Sequence, residues 1–248
     1  MIFSKVFNFL SLIKDGSFVR FNDRETAADS LTKLLKNHVR DFSSKDILVL
    51  GIPRGGVVMA DIIARKLNAN FDIIVTRKLR APQNKELALG AILYDKKNKS
   101  VMTYLEQEII RSLNIPSEYL EEERTLQMQE ISRRISLYTS DSKNNIDANN
   151  VSLDIENKVV ILVDDGAYTG STVIVTARWL KEKKPKKLII ALTVAPKETI
   201  EILEDEVDVI EVMITSPIRN FKTVSRFYQN FLPVSDEKII EIMKRGRK

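Results

Sequence analysis

Cysteine is absent from the 248 residues. That excludes disulfides, thiol nucleophiles and thiolate metal sites, and it suits a reducing compartment such as the cytoplasm. Histidine is nearly absent too, with His38 standing alone on an early predicted helix away from every motif. Histidine-based metal clusters are thereby excluded, and a Ser–His triad has little room. Long apolar runs are missing as well. Met1 to Ile13 comes nearest, but Lys5 and Asn8 interrupt it and Lys14 ends it, far short of a membrane span. We read 1–19 as an amphipathic helical segment lying on the domain. Charge of one sign is also scarce: the formal net charge is +5. Lys181, Lys183, Lys184, Lys186 and Lys187, and the terminal Lys244, Arg245, Arg247 and Lys248, read as solvated surface, so nucleic acid is not an expected partner.

What the chain does have is concentrated in KVVILVDDGAYTGST, Lys158 to Thr172. Val159 to Val163 is an uninterrupted apolar run suited to a strand buried on both faces. Asp164 and Asp165 stand where it stops. Gly166 to Thr172 forms a loop of small and hydroxyl residues, and a helical pattern begins at Val173. Loop amides and a helix N-terminus attract an anion, while Thr and Ser hydroxyls satisfy phosphate oxygens. The acids accept hydrogen bonds from a sugar diol or hold a cation. The ligand implied is a sugar phosphate. A nucleotide-binding P-loop is excluded, because no Lys precedes Ser171 and Thr172; a dinucleotide fingerprint lacks its third glycine. An acid pair ending a buried strand also occurs in metal-dependent phosphoryl-transfer folds, so the pair alone does not decide.

A second strand–turn–helix unit precedes it. Asp46 to Ile52 reads as a buried strand, Pro53-Arg54-Gly55-Gly56 as its turn, and Val57 to Leu67 as a helix. This turn carries a guanidinium instead of carboxylates, and Arg54 suits phosphate oxygens bidentately. Phe71 to Thr76 predicts another buried strand that delivers Arg77 and Lys78 at its end. A polar, mobile loop follows with Arg80 and Lys85, and these cations suit a departing anion. Upstream, Asn22 and Glu25 predict a capping box for the first helix.

The remaining elements are expected to be two short strands, Ala91 to Tyr94 and Ser100 to Tyr104, then helix over 105–138 broken near Pro116. Met128, Ile131, Ile135 and Tyr138 give that helix a narrow apolar stripe, which reads as core packing or a subunit contact, so a homodimer is among the partners allowed. Ser140 to Asn150 predicts an exposed loop. Strands over Lys187–Val194 and Val207–Ile214 flank a helix over Lys197–Leu203. Phe221, Phe227 and Tyr228 then suit the cover of an acceptor pocket and equally an anchor in the core for the terminal helix that begins at Asp236; Phe231 reads as such an anchor.

The core stretch resembles the signature of type I phosphoribosyltransferases: apolar strand, two acids, spacers, then T-G-x-T. RFNDRE at 20–25, GIPRGGVVMA at 51–60, RKLRAPQNKELALGA at 77–91 and FKTVSRFYQNF at 221–231 resemble a branch of that family with no assigned acceptor. The resemblance implies an α/β fold, a Rossmann-like parallel sheet flanked by helices with a small hood. It implies a single domain over 20–248, with 105–138 as a helical insertion and 215–248 as hood and terminal helix. It implies transfer of ribose 5-phosphate from phosphoribosyl pyrophosphate to a nitrogenous or other small nucleophile. Asp164 and Asp165 would hold the ribose hydroxyls and serve catalysis with Arg77 and Lys78. Ala167, Tyr168, Thr169, Gly170, Ser171 and Thr172 would hold the 5′-phosphate. Arg54, Gly55, Gly56, Arg77, Lys78 and Arg80 would hold pyrophosphate. Mg²⁺ is the implied cofactor, held mainly by the donor beside Asp164 and Asp165 without a dedicated ligand cluster. A sensor that binds the same ligand without turnover shares every one of these residues. Two departures bear on the acceptor. Tyr168 stands where hypoxanthine–guanine enzymes place an Asp, and Ser225, Phe227 and Asn230 stand where this branch has Gly, Trp and Asp.

Overall fold

Two runs of apolar residues with opposite-facing alternation set the architecture of this computed structural model. It describes residues 7–8, 13–14, 17–18 and 20–246, apart from 86, 96–97, 140–154 and 222. The strands are β1 (Phe7–Asn8), β2 (Ile13–Lys14), β3 (Ser17–Phe18), β4 (Ile47–Gly51), β5 (Asn70–Ile73), β6 (Thr76–Arg80), β7 (Ala88–Asp95), β8 (Ser100–Leu105), β9 (Val159–Asp164), β10 (Lys187–Pro196) and β11 (Val209–Ser216). The helices are α1 (Arg24–Val39), α2 (Gly55–Leu67), α3 (Gln107–Ser112), α4 (Ser117–Thr139), α5 (Ser171–Glu182), α6 (Lys197–Glu204) and α7 (Asp236–Gly246).

The main sheet runs β1-β11-β10-β9-β4-β5 and is parallel throughout. Val49, Ile161, Val163, Ile189 and Ala191 point to one face and pack with Ala27, Leu31 and Leu35 of α1 and Met59 and Ile63 of α2. Leu48, Leu50, Val160, Leu162, Ile190 and Leu192 point to the other and pack with Ile174, Ala177 and Leu180 of α5 and Leu203 of α6. Period-two alternation in strands that are buried on both sides thus assigns each helix its face. From β4 the chain winds outward through α2 to β5; from β9 it winds the other way through α5 to β10. The order reverses between β4 and β9, and a crevice opens there at the strands' C-terminal ends.

Beyond β5 the chain enters a separate antiparallel sheet, β6-β7-β8. The expected strand Phe71–Thr76 therefore stops early, at Ile73. Arg77 and Lys78 lie within β6 (Thr76–Arg80) and not at the end of the preceding strand, Arg80 is in the same strand and not on a loop, and Leu79 and Ala81 are buried in place of a mobile polar segment. Helix α4 packs behind this sheet and against α7 through Ile131, Ile135, Tyr138, Ile239, Ile242 and Met243. Its apolar stripe is thus used within the chain's own core.

Two further expectations are corrected. Asp23, not Asn22, caps α1: its Oδ1 accepts from the Thr26 amide at 2.8 Å, and Thr26 Oγ1 accepts from the Asp23 amide at 3.2 Å. A threonine at the third helical position closes the box in place of Glu25. In the N-terminal segment the described residues are short strands, not helix: β1 pairs with Ile214 and Thr215, and β2 with β3 as a hairpin. The expected loop over 140–150 lies outside the described residues. Among those described, no helix is long and apolar enough to cross a membrane.

Candidate functional site

A cleft of about 710 Å³ occupies the crevice at the sheet's reversal point. Pro53, Arg54 and Gly55 line one wall, and Asp164 to Thr172 line the floor and the opposite rim. Arg77, Lys78, Arg80 and Lys85 enter from the antiparallel sheet and the loop after it. Two turns expected from sequence to share a ligand therefore share a cavity.

The two turns touch through glycines. A β-carbon on Gly55 would lie 1.7 Å from Asp165 Oδ2, and one on Gly56 would lie 2.5 Å from the Val163 carbonyl. Gly56 is thus the close approach that seats α2 against β9, and it lies behind the cleft, not on its lining. The peptide between Pro53 and Arg54 is cis. Gly170 adopts φ +74°, the left-handed turn from which α5 begins, and directs the Ser171–Thr172 end of the loop into the cleft.

The acid pair is held from several sides. The Asp165 amide donates to Asp164 Oδ1 at 2.8 Å. Beneath the floor, Thr193 and Tyr228 hydroxyls donate to the Asp165 carbonyl at 2.5 and 2.8 Å. Arg24 Nε donates to Asp165 Oδ2 at 2.6 Å. Burial raises both carboxyls above the usual range. For Asp164 the neighbouring Asp165 charge raises it further and Lys78 and Arg24 oppose; for Asp165 the opposition comes first from Arg24.

The cations are positioned by the helical insertion. Gln127 of α4 accepts from Arg77 Nε at 2.8 Å, and Glu123 accepts from the Arg80 amide at 3.0 Å and from Gln127 at 2.9 Å. The Tyr119 hydroxyl donates to the Arg80 carbonyl at 2.9 Å. Burial, with Arg134 and Arg80 nearby, lowers the Arg77 guanidinium to about 10, still charged at neutral pH. Arg54 lies 3.9 Å from Asp236 at the start of α7.

The hydroxyl loop is braced from behind by Glu106, which follows β8. Ser171 donates to Glu106 Oε1 at 2.8 Å, and the Thr169 and Ser171 hydroxyls are 2.7 Å apart, so Thr169 is the donor of that pair. Burial raises the Glu106 carboxyl, and hydrogen bonds from Ser171 and Tyr104 restrain it. Nothing in the sequence singles out Glu106 or Gln127, and Arg24 is flagged only as part of RFNDRE, because Ser171, Arg77 and Asp165, the partners that place them at the site, are remote in the chain.

The expected acceptor aromatics are corrected. Phe221, Phe227 and Tyr228 are each 2% exposed and sit in the core with α1 and α2, stacked as Tyr168–Phe221 and Phe221–Phe227. The residues that line the hood side of the cleft are Thr223, Val224, Phe231, Pro233 and Val234. Phe231, expected to anchor the core, faces the cavity. The described lysines expected at the surface are largely paired locally: Lys183 with Asp95, Lys181 with Glu206, and Lys187 with the His38 carbonyl.

Comparison with known proteins places this geometry. A crystal structure of the protein TT1426 from Thermus thermophilus superposes with a TM-score of 0.68 at 28% identity, covering 92% of this chain and 99% of that one. A Mycobacterium tuberculosis (strain H37Rv) protein named "Putative phosphoribosyl transferase Rv0571c" is 26% identical over 228 residues, 92% of this chain. Its counterpart in strain CDC 1551 matches identically. The chain spans about half the length of these curated relatives, 47% of each. Residues 20–222 match the family model described as the phosphoribosyl transferase domain. With a parallel sheet flanked by helices, an acid pair at its reversal point and that match over most of its length, this chain belongs to the phosphoribosyl transferase family.

Proposed function

We propose that the cleft binds phosphoribosyl pyrophosphate and transfers its ribose 5-phosphate to a nitrogenous base or other small nucleophile, with release of pyrophosphate. The observation that carries this is the convergence in one cavity of three complementary groups. These are a carboxylate pair, a hydroxyl-rich loop at a helix N-terminus, and the cations Arg54, Arg77, Lys78 and Arg80. A sugar bearing a monoester at one end and a diphosphate at the other needs all three.

In this reading Ala167 to Thr172 seat the 5′-phosphate with backbone amides and hydroxyls. Asp164 and Asp165 accept from the ribose 2′ and 3′ hydroxyls and face the positive charge that grows on the sugar as its anomeric bond to pyrophosphate breaks. That bond's electron pair leaves with pyrophosphate, the acceptor nitrogen supplies the pair for the new bond, and its proton passes to solvent. Arg54, Gly55, Arg77, Lys78 and Arg80 receive the departing charge. The donor set suits magnesium: Asp164 and Asp165 are the only carboxylates on the described lining, hard oxygen donors too few for a protein cage. Asp164 and Asp165 would help to hold such an ion, and it would supply neutralisation of the pyrophosphate charge. Tyr168 in place of an acid argues against a hypoxanthine–guanine type of acceptor. The absence of cysteine is in keeping with a cytoplasmic protein.

A screen of bases and amines for magnesium-dependent pyrophosphate release tests the reading. Turnover with one acceptor class is the expected result. Saturable binding of the donor without turnover across the panel would replace the enzyme with a sensor, and no binding would remove both.

A further inference from the structure

Arg24 is the first residue of α1, yet it lines the cleft and its side chain meets a partner 141 positions away. Its planar guanidinium makes three different contacts. Nε donates to Asp165 Oδ2 at 2.6 Å, Nη1 donates to the Leu232 carbonyl at 2.8 Å, and one face lies 3.7 Å from the Phe231 ring centroid. The side chain is only 12% exposed. Leu232 belongs to the irregular strap between the aromatic segment and α7, and its neighbours Phe231, Pro233 and Val234 line the cavity.

We propose that Arg24 is a positioning residue that fixes the Asp165 carboxylate for the ribose hydroxyls and ties it to the strap beside the acceptor. The role rests on the reading of the cleft as a phosphoribosyl pyrophosphate site. A single hydrogen bond to one carboxylate oxygen sets the plane of the group. The carbonyl of the same residue is pinned from below by Thr193 and Tyr228, so Asp165 is restrained at both ends. A lysine keeps the charge but, as a point donor without a planar fork, does not hold a carboxylate, a carbonyl and an aromatic face together.

Titration calorimetry of the full chain with magnesium phosphoribosyl pyrophosphate needs no acceptor and reads this role directly. Arg24→Gln is expected to weaken binding by about ten- to a hundredfold, the loss of one charge-assisted hydrogen bond. Its affinity for magnesium pyrophosphate, which has no ribose hydroxyls, is expected to change far less, a split that a purely structural role for Arg24 does not give. Arg24→Lys is expected to recover only part of the donor affinity. If Arg24→Gln fails to fold, the Lys variant carries the test. Wild-type donor affinity in either folded variant, or an equal loss for donor and pyrophosphate, would overturn the role while leaving the site intact. A wild-type protein that binds no donor would overturn the site and this role together.

Discussion

Gly55 and Asp165 meet so closely that a β-carbon on the glycine would fall 1.7 Å from the carboxylate's Oδ2 and 2.8 Å from Arg24 Nε. The turn after β4 and the acid pair after β9 are therefore built as one surface, and Gly55 is the place where they are joined.

The two neighbouring glycines should fail in different ways. Gly55→Ala displaces a side chain, Asp165, and with it the pairing to Arg24. Donor affinity is expected to fall at least tenfold, with a smaller change in melting temperature. Gly56→Ala drives a methyl group against the Val163 carbonyl and the Asp164 α-carbon, at 2.5 and 2.9 Å. Backbone does not yield as a side chain does, so a loss of about 1–3 kcal/mol in folding stability is expected. Calorimetry and denaturant unfolding on both variants separate the two effects.

Asp164 should oppose stability while serving chemistry. Its folded carboxyl is raised by burial and by Asp165. The unfolded chain therefore releases this proton at lower pH than the folded one, and stability falls as pH rises from the ordinary carboxylate range through the raised value. Asp164→Asn is expected to raise the melting temperature at mildly alkaline pH, and to change it little at acid pH. The same substitution should lower turnover by ~10²–10³. Thermal melts at two pH values and a pyrophosphate assay check both halves.

The brace behind the hydroxyl loop gives a related pH signature. Ser171→Ala removes the donor that Glu106 uses at 2.8 Å, leaving a partly buried carboxylate with Tyr104 alone. Because that carboxyl is already raised by burial, it rises further in the variant. The protonated acid tolerates the loss and the ionised one does not. Stability is therefore expected to drop by about 1–3 kcal/mol at mildly alkaline pH and by less at acid pH. An equal loss at both would show that Glu106 is not the group left unpaired.

The hood aromatics should divide by burial. Phe227→Ala empties a site in the core and is expected to cost about 3–5 kcal/mol. Phe231→Leu changes the cavity wall and should alter acceptor KM more than stability. Unfolding curves for both variants, with steady-state kinetics on the acceptor that the panel identifies, test the division.

Much of this site is readable in the residues because its signals are local. Val159 to Val163, Asp164, Asp165 and the hydroxyl loop are contiguous, and a buried strand ending in acids before a helix start has few other uses. Gly55 follows a similar strand and yields to the same logic, whereas Gly56 serves the packing of α2 on β9 and does not line the cleft. What stays hidden depends on distant partners. The run Ile73-Ile74-Val75 is apolar without a break, so nothing marks the corner where the chain leaves one sheet for another, and Arg77 and Lys78 read as a strand end although they lie inside β6. Asn22 and Asp23 are adjacent residues of equal capping power, and only geometry chooses between them. Phe221, Phe227 and Phe231 carry no periodicity; which of them faces the cavity is decided by packing against α1 and by the Arg24 contact.

The central claim is that one cleft offers acids to a diol, amides and hydroxyls to a monoester, and cations to a diphosphate. A crystal structure of the protein with magnesium phosphoribosyl pyrophosphate tests it most directly. The expected result places the 5′-phosphate against Thr169 to Thr172, the ribose hydroxyls on Asp164 and Asp165, and the diphosphate toward Arg54, Arg77 and Lys78. A ligand seated elsewhere, or seated with its diphosphate in the hydroxyl loop, would contradict it.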